Sequence, residues 1–265
     1  MTMTLRTLIA VVALLNAPLA GAQLRPPSGG KGVGDYTLHD FAAKWMMQQD
    51  DVAEIGRYRE ANRALLAEQD KRRRIVFIGD SITEGWAALE ARSDTATRWV
   101  NRGIGGSNTT QMLLRFEDDA VALQPAVVVI MGGTNDLRAY VGTPDSVVDG
   151  AFERVKRNIT AMSDIADARR IAVVLCSLPP VGHDLERIAR DPAGVARINA
   201  WIETFAHERK YSFVDYRRVL ADSDGAMRGD YSKDGIHPNE AAYQAMMSLL
   251  QPAVELKART RDGSR

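Results

Sequence analysis

Arg74-Ile75-Val76-Phe77-Ile78-Gly79-Asp80-Ser81-Ile82-Thr83 decides how the rest of the chain reads. Four apolar residues, three of them β-branched, run into Gly-Asp-Ser, and a helical pattern follows. A short apolar run closed by a turn is a strand buried on both faces of a sheet. The serine then stands at the strand's carboxyl edge, where open α/β sheets bind their ligands. Two roles for Ser81 are open at this point: a helix N-cap, which serine serves well, and a reactive hydroxyl.

Downstream, the same grammar repeats. A strand over 98–101 leads into Arg102-Gly103-Ile104-Gly105-Gly106-Ser107-Asn108, with a helix expected over 109–123. A strand over 126–131 ends in Gly132-Gly133-Thr134-Asn135-Asp136. Thr143-Pro144 reads as N-cap and first turn of a helix, and Val148, Phe152, Val155, Ile159 and Met162 keep a helical spacing along it. A strand over 171–176 stops at Pro179-Pro180, and Asp191-Pro192 opens a helix bearing Ile198, Trp201, Ile202 and Phe205. A short strand over 212–215 precedes a loop carrying Asp234-Gly235-Ile236-His237-Pro238. A last helix should span 239–251, ended or kinked by Pro252. Five strands alternating with helices predict right-handed crossovers and a parallel sheet covered on both faces.

Upstream, residues 1–22 stand apart. Arg6 is their only charged side chain, residues 8–15 are all apolar, and Ala20-Gly21-Ala22 is a small-x-small cleavage pattern. This reads as a secretory signal peptide cut before Gln23, too short to span a bilayer. The expectation is an exported chain, periplasmic or secreted. Residues 23–35, with two prolines and four glycines, read as a flexible linker. Residues 36–70 read as a helical extension, with Phe41 and Trp45, then Val52, Ile55 and Tyr58, as its apolar stripe. The basic run Lys71 to Arg74 reads as a solvated face, residues 71–256 as the main domain, and residues 257–265 as a polar tail.

Composition narrows the partners. The 265 residues carry 34 Lys+Arg against 34 Asp+Glu, so no charge excess invites nucleic acid or an anionic membrane. No later segment is apolar enough for stable membrane insertion. The one cysteine, Cys176, lies in an apolar run and reads as a small buried hydrophobe. The histidines, His39, His183, His207 and His237, form no metal-ligand spacing, and His207 reads as a surface residue. No metal or cofactor is expected.

In a parallel sheet the turns at 79–83, 103–108 and 132–136 share one edge, and the 234–237 loop can fold over it. The residues gathered there are those that acyl transfer needs. A serine hydroxyl is a weak nucleophile without a base. His237 titrates near neutrality and can take its proton. Asp234 can hold the ring's tautomer and stabilise the imidazolium. The backbone N–H groups of Ser81 and a turn glycine, Gly105 or Gly106, and the Asn135 amide can meet an oxyanion. Each also has a plainer role in a turn or cap. There is no Gly-x-Ser-x-Gly elbow, and Asn108 replaces the third glycine of a dinucleotide fingerprint.

Gly79-Asp80-Ser81-Ile82, Gly103-Ile104-Gly105-Gly106, Gly133-Thr134-Asn135-Asp136 and Asp234-Gly235-Ile236-His237-Pro238 together resemble the four blocks of the SGNH hydrolases, also called GDSL esterases and lipases. The resemblance covers about residues 72–255, with Ile82 where the family name has Leu. It implies a flavodoxin-like three-layer α/β/α sandwich with strand order 2-1-3-4-5. It also implies Ser81 as nucleophile, the Asp234–His237 pair as base machinery, and Gly106 and Asn135 beside Ser81 in the oxyanion hole. Family members act on carbohydrate acetyl groups, short acyl esters, lysophospholipids and acyl thioesters. A neutral exported chain with no lipid-binding stripe fits short acyl esters or acetylated glycans best. A lysophospholipase or acyl thioesterase of the same fold is the alternative, and a non-catalytic binding module is a further one. Trp86 and Tyr140 lie near the blocks and suggest aromatic walls.

Overall fold

The structure, a computed structural model, describes residues 51–138, 145–184 and 190–260. The expected signal peptide, the linker, residues 36–50 of the extension, Tyr140, the Thr143-Pro144 cap and the last five residues of the tail lie outside the described residues.

Five strands form one parallel sheet in the order β2-β1-β3-β4-β5. They are β1 (Arg73–Gly79), β2 (Thr97–Gly103), β3 (Val127–Met131), β4 (Ala172–Cys176) and β5 (Ser212–Val214). Period-two alternation divides their side chains between two cores. Val76, Ile78, Val100, Val128, Ile130, Val173 and Leu175 face one way. Ile75, Phe77, Trp99, Val127, Val129, Val174, Cys176 and Val214 face the other.

The helices supply the outer layers. They are α1 (Arg59–Ala67), α2 (Ser81–Glu84), α3 (Thr109–Leu114), α4 (Phe116–Asp119), α5 (Asp145–Ala168), α6 (Pro192–Arg209), α7 (Arg217–Leu220) and α8 (Glu240–Thr260). Met112, Phe116, Val155, Ile159, Met162, Ile198 and Ile202 cover the first face. Ala242, Met246, Leu250, Val254 and Ala258 of α8 cover the second. The expected three-layer sandwich and strand order are both present. Asp191 caps α6 as the sequence suggests, its carboxylate accepting the N–H groups of Ala193 and Gly194. No helix among the described residues is long and apolar enough to cross a membrane.

Four local readings change. The expected helix over 109–123 is broken into α3, α4 and a 3-10 turn, Val121–Leu123. At the break the buried Arg115 guanidinium donates to the carbonyls of Arg102 (2.7 Å) and Gly79 (2.8 Å) and to Asp119 (3.1 Å). Residues 51–58 are turns rather than helix, so Val52, Ile55 and Tyr58 share no helical stripe. The Asp51 carboxylate accepts the Gly56 N–H at 2.9 Å, a local bond that competes with helix. α8 passes through Pro252 to Thr260 and so takes in residues assigned to the tail. Val254 and Ala258 beyond the proline are buried in the second core, and that packing works against the ~3 kcal/mol that an interior proline costs. Finally, the basic run is largely tied to the domain. Arg73 donates to the Ala258 carbonyl (2.9 Å), and Arg74 to those of Leu123 (3.0 Å) and Leu65 (3.2 Å).

The register places the site. Gly79 pairs with Gly103 on one side and with Met131 on the other, so the turns after β1, β2 and β3 leave the sheet at one level.

Candidate active site

The first two turns lie backbone against backbone. A Cβ on Gly103 would stand 2.1 Å from the Glu84 nitrogen, so only glycine fits. Asp136, after β3, accepts the Thr109 N–H and hydroxyl, each at 2.8 Å. Those bonds tie the third turn to the start of α3.

Ser81 is the first residue of α2. The N-cap is Asp80, whose carboxylate accepts the Ile82 N–H at 3.0 Å, so Ser81 does not serve as the cap. The Ser81 hydroxyl lies 2.9 Å from His237 Nε2. On the other side of the ring, Nδ1 lies 2.6 Å from Asp234 Oδ2. With Nδ1–H donated to the carboxylate, Nε2 is left to accept from the serine. The remaining oxygen of Asp234 accepts the backbone N–H groups of Ile236 (2.9 Å) and His237 (2.8 Å) and the Ser232 hydroxyl (3.1 Å). The Asp-Gly-Ile-His loop is thus wound around one carboxylate, with Gly235 at φ +78° making the turn.

The electrostatics follow. Partial burial alone would raise the Asp234 pKa, but bonds from the His237 ring and two backbone N–H groups bring it well below the usual carboxylate range. The hydrogen bond to Asp234 raises the His237 pKa against the opposing effect of burial. The imidazole remains 40% exposed, open to a reactant from solvent.

Gly106 sits in the left-handed region at φ +79°. The Gly105 N–H is taken by Glu84 Oε2 at 2.8 Å. The N–H groups of Ser81 and Gly106 meet no acceptor among the described residues. Asn135 Nδ2 donates to the Ser107 carbonyl at 3.0 Å and lies 3.4 Å from Asp80 Oδ2. The latter contact joins the first and third blocks. Ser81, Asn135, Asp234 and His237 are therefore brought together, and the Gly105–Gly106 turn lies beside Ser81.

Sequence reading missed three neighbours. Arg190, only 7% exposed, donates to Asn135 Oδ1 at 3.0 Å and fixes which way the amide faces. Burial lowers its pKa to about 10. It belongs to no block, and nothing in its local sequence marks it. Asp80 is fully buried, and loss of solvent pushes its pKa up to about 6. Glu84 lies on the serine's own helix and had no marker beyond that proximity. Other expectations change or hold. Trp86 is buried and stacked on Tyr243 at 5.1 Å, so it belongs to the core and forms no wall of the site. Cys176 is buried, and burial lifts its thiol pKa to about 12, which makes it inert. His207 is exposed, as expected. His183 meets Asp222 at 2.7 Å beside Asp224, a cluster with exposed His183 and Asp224 around a half-buried Asp222 that sequence spacing did not reveal.

Residues 77–245 match the model of the GDSL-like lipase/acylhydrolase family. A GDSL-like lipase from Bacteroides thetaiotaomicron is 35% identical, with a TM-score of 0.65 over 77% of this chain and 98% of its own. A protein from Bacteroides fragilis assigned to the acylhydrolases is 34% identical, with a TM-score of 0.67 over 79% of this chain and 99% of its own. An acetylxylan esterase from Geobacillus stearothermophilus, 18% identical, shares the fold with a TM-score of 0.55 over 69% of this chain and 94% of its own. No curated protein sequence matches the chain.

Proposed function

The chain belongs to the GDSL-like lipase/acylhydrolase family, and from that premise we propose that it is a serine esterase acting on carboxylic esters of short acyl groups. The observation that carries this reading is the line from Ser81 through His237 to Asp234, with contacts of 2.9 and 2.6 Å.

In the proposed cycle, Ser81 Oγ attacks the ester carbonyl as His237 Nε2 takes its proton. Asp234 holds the imidazolium that forms. The carbonyl oxygen becomes an oxyanion facing the N–H groups of Ser81 and Gly106 and the Asn135 amide. Collapse expels the alcohol, which takes the proton from His237 and leaves an acyl-serine. Water, deprotonated by the same ring, then releases the carboxylate and restores the serine.

The preference for short acyl groups, carbohydrate O-acetyl esters among them, rests on the surface. The exposed large hydrophobics among the described residues are Val52, Leu66, Leu114 and Leu256, and none lies in the turns that carry the reacting groups. Ser81→Ala should abolish turnover of p-nitrophenyl acetate, and retained turnover would remove the proposal. Across p-nitrophenyl esters of increasing chain length, kcat/KM should fall. A rise towards long chains would remove the short-acyl preference. We also infer export from residues 1–22. N-terminal sequencing of the exported protein should begin at Gln23, and an intact Met1 in the cytoplasm would contradict that.

A further inference from the structure

The Gly105–Gly106 turn is held in part from upstream of the segment that matches the family. The Tyr58 hydroxyl donates to the Gly103 carbonyl, and the Arg102 guanidinium lies over the Tyr58 ring, 4.8 Å from its centroid. The Arg57 guanidinium pairs with one oxygen of Glu84. The other oxygen of Glu84 accepts the Gly105 N–H at 2.8 Å. Glu84 lies on α2, the helix that begins with Ser81. One carboxylate therefore links a side chain before β1, the nucleophile's helix and the turn after β2.

The link bears on the oxyanion. With the Gly105 N–H turned to Glu84, the next peptide N–H in the turn is that of Gly106. A glutamate left to itself samples several rotamers, and Arg57 holds this one to a single geometry. The Tyr58 bond fixes the backbone two residues before Gly105.

We propose that Arg57, Tyr58 and Glu84 are positioning residues of the oxyanion site. They hold the Gly105–Gly106 turn so that the Gly106 N–H meets the negative charge that develops on the substrate oxygen. The proposal rests on the serine-esterase reading above. It gives the segment before β1 a part in the chemistry and not only in folding. The charge exists only after attack, so loss of the brace should lower kcat and leave KM nearly unchanged.

The test is steady-state kinetics on p-nitrophenyl acetate, with the melting temperature of each variant. Glu84→Ala should lower kcat by roughly 10- to 100-fold, the range set by loss or misplacement of one donor. Arg57→Ala and Tyr58→Phe should each lower it by about 5- to 10-fold, with KM within about threefold of wild type. Arg57 acts through Glu84, so adding Arg57→Ala to Glu84→Ala should lower kcat no further. If Glu84→Ala does not fold, Glu84→Gln keeps an acceptor for Gly105 but loses the pairing with Arg57. It should then match Arg57→Ala. All kcat values within twofold of wild type would overturn the proposal. So would losses confined to KM, or fully additive losses in the double variant. If wild type and Ser81→Ala are equally inactive, the esterase reading falls and takes this proposal with it. If only Ser81→Ala is inactive, the three positioning variants judge this proposal alone.

Discussion

His237 shows how one hydrogen bond and the surrounding charge set the working range of a side chain. It must be neutral to take the serine proton, and its pKa is raised above the ordinary histidine value of about 6.5, first by the bond to Asp234 and then by nearby negative charge that includes Asp80. Raising the pKa of a base moves the acid limb of activity to higher pH. The pH profile of kcat/KM should therefore fall on the acid side with a midpoint above about 6.5. Asp80→Asn keeps an N-cap of equal quality but removes a charge that favours imidazolium, so the midpoint should move to lower pH. An unmoved or raised midpoint would contradict this electrostatic picture. Arg190 acts at the same scale. Arg190→Met removes the donor to Asn135 Oδ1 and lets the amide turn, and kcat should fall about tenfold, within the effect of losing an oxyanion donor. Of these residues the sequence revealed His237, Asp234 and Asn135, because each sits in a motif block. It could not reveal Arg190, whose role comes from where the chain returns and not from its neighbours in sequence.

Among the elements, the contact between α2 and the end of β2 is a tight, backbone-to-backbone constraint on the site. Gly103→Ala would drive a methyl into the backbone of Thr83 and Glu84, at 2.6 and 2.1 Å. Shifts of this kind displace reacting groups by about an ångström, and activity should fall by roughly 100-fold. Activity within twofold of wild type would show that the turns can part freely. The break between α3 and α4 makes a second case. Arg115 and Asp119 are both wholly buried. Arg115→Met should cost about 3–5 kcal/mol, read from the urea midpoint, because it strands the Asp119 charge and two carbonyls. A loss below about 1 kcal/mol would mean the pair is not what holds this corner. β1 and β3 were legible from their β-branched runs. The helix break was not, since an arginine between apolar residues looks like any solvent-facing position until its buried partners are known.

For the molecule as a whole, the alternation of strands and helices was enough to read a parallel sheet covered on both faces, and the strand order came from the family that the four blocks resemble. The ends of the chain were harder. Tertiary packing carries α8 through Pro252, and it holds residues 51–67 against the β2 side of the sheet through Tyr58, Asn62 and Leu65. Neither follows from local propensity. Activity depends on a serine that is activated by a histidine from the far end of the chain. A fluorophosphonate probe reports this directly, because it reacts with an activated serine and not with an ordinary one. Labelling followed by peptide mass mapping should place one adduct on Ser81 in the wild type and none in His237→Ala. A wild type that stays unlabelled, or equal labelling of Ser81 without His237, would contradict the account.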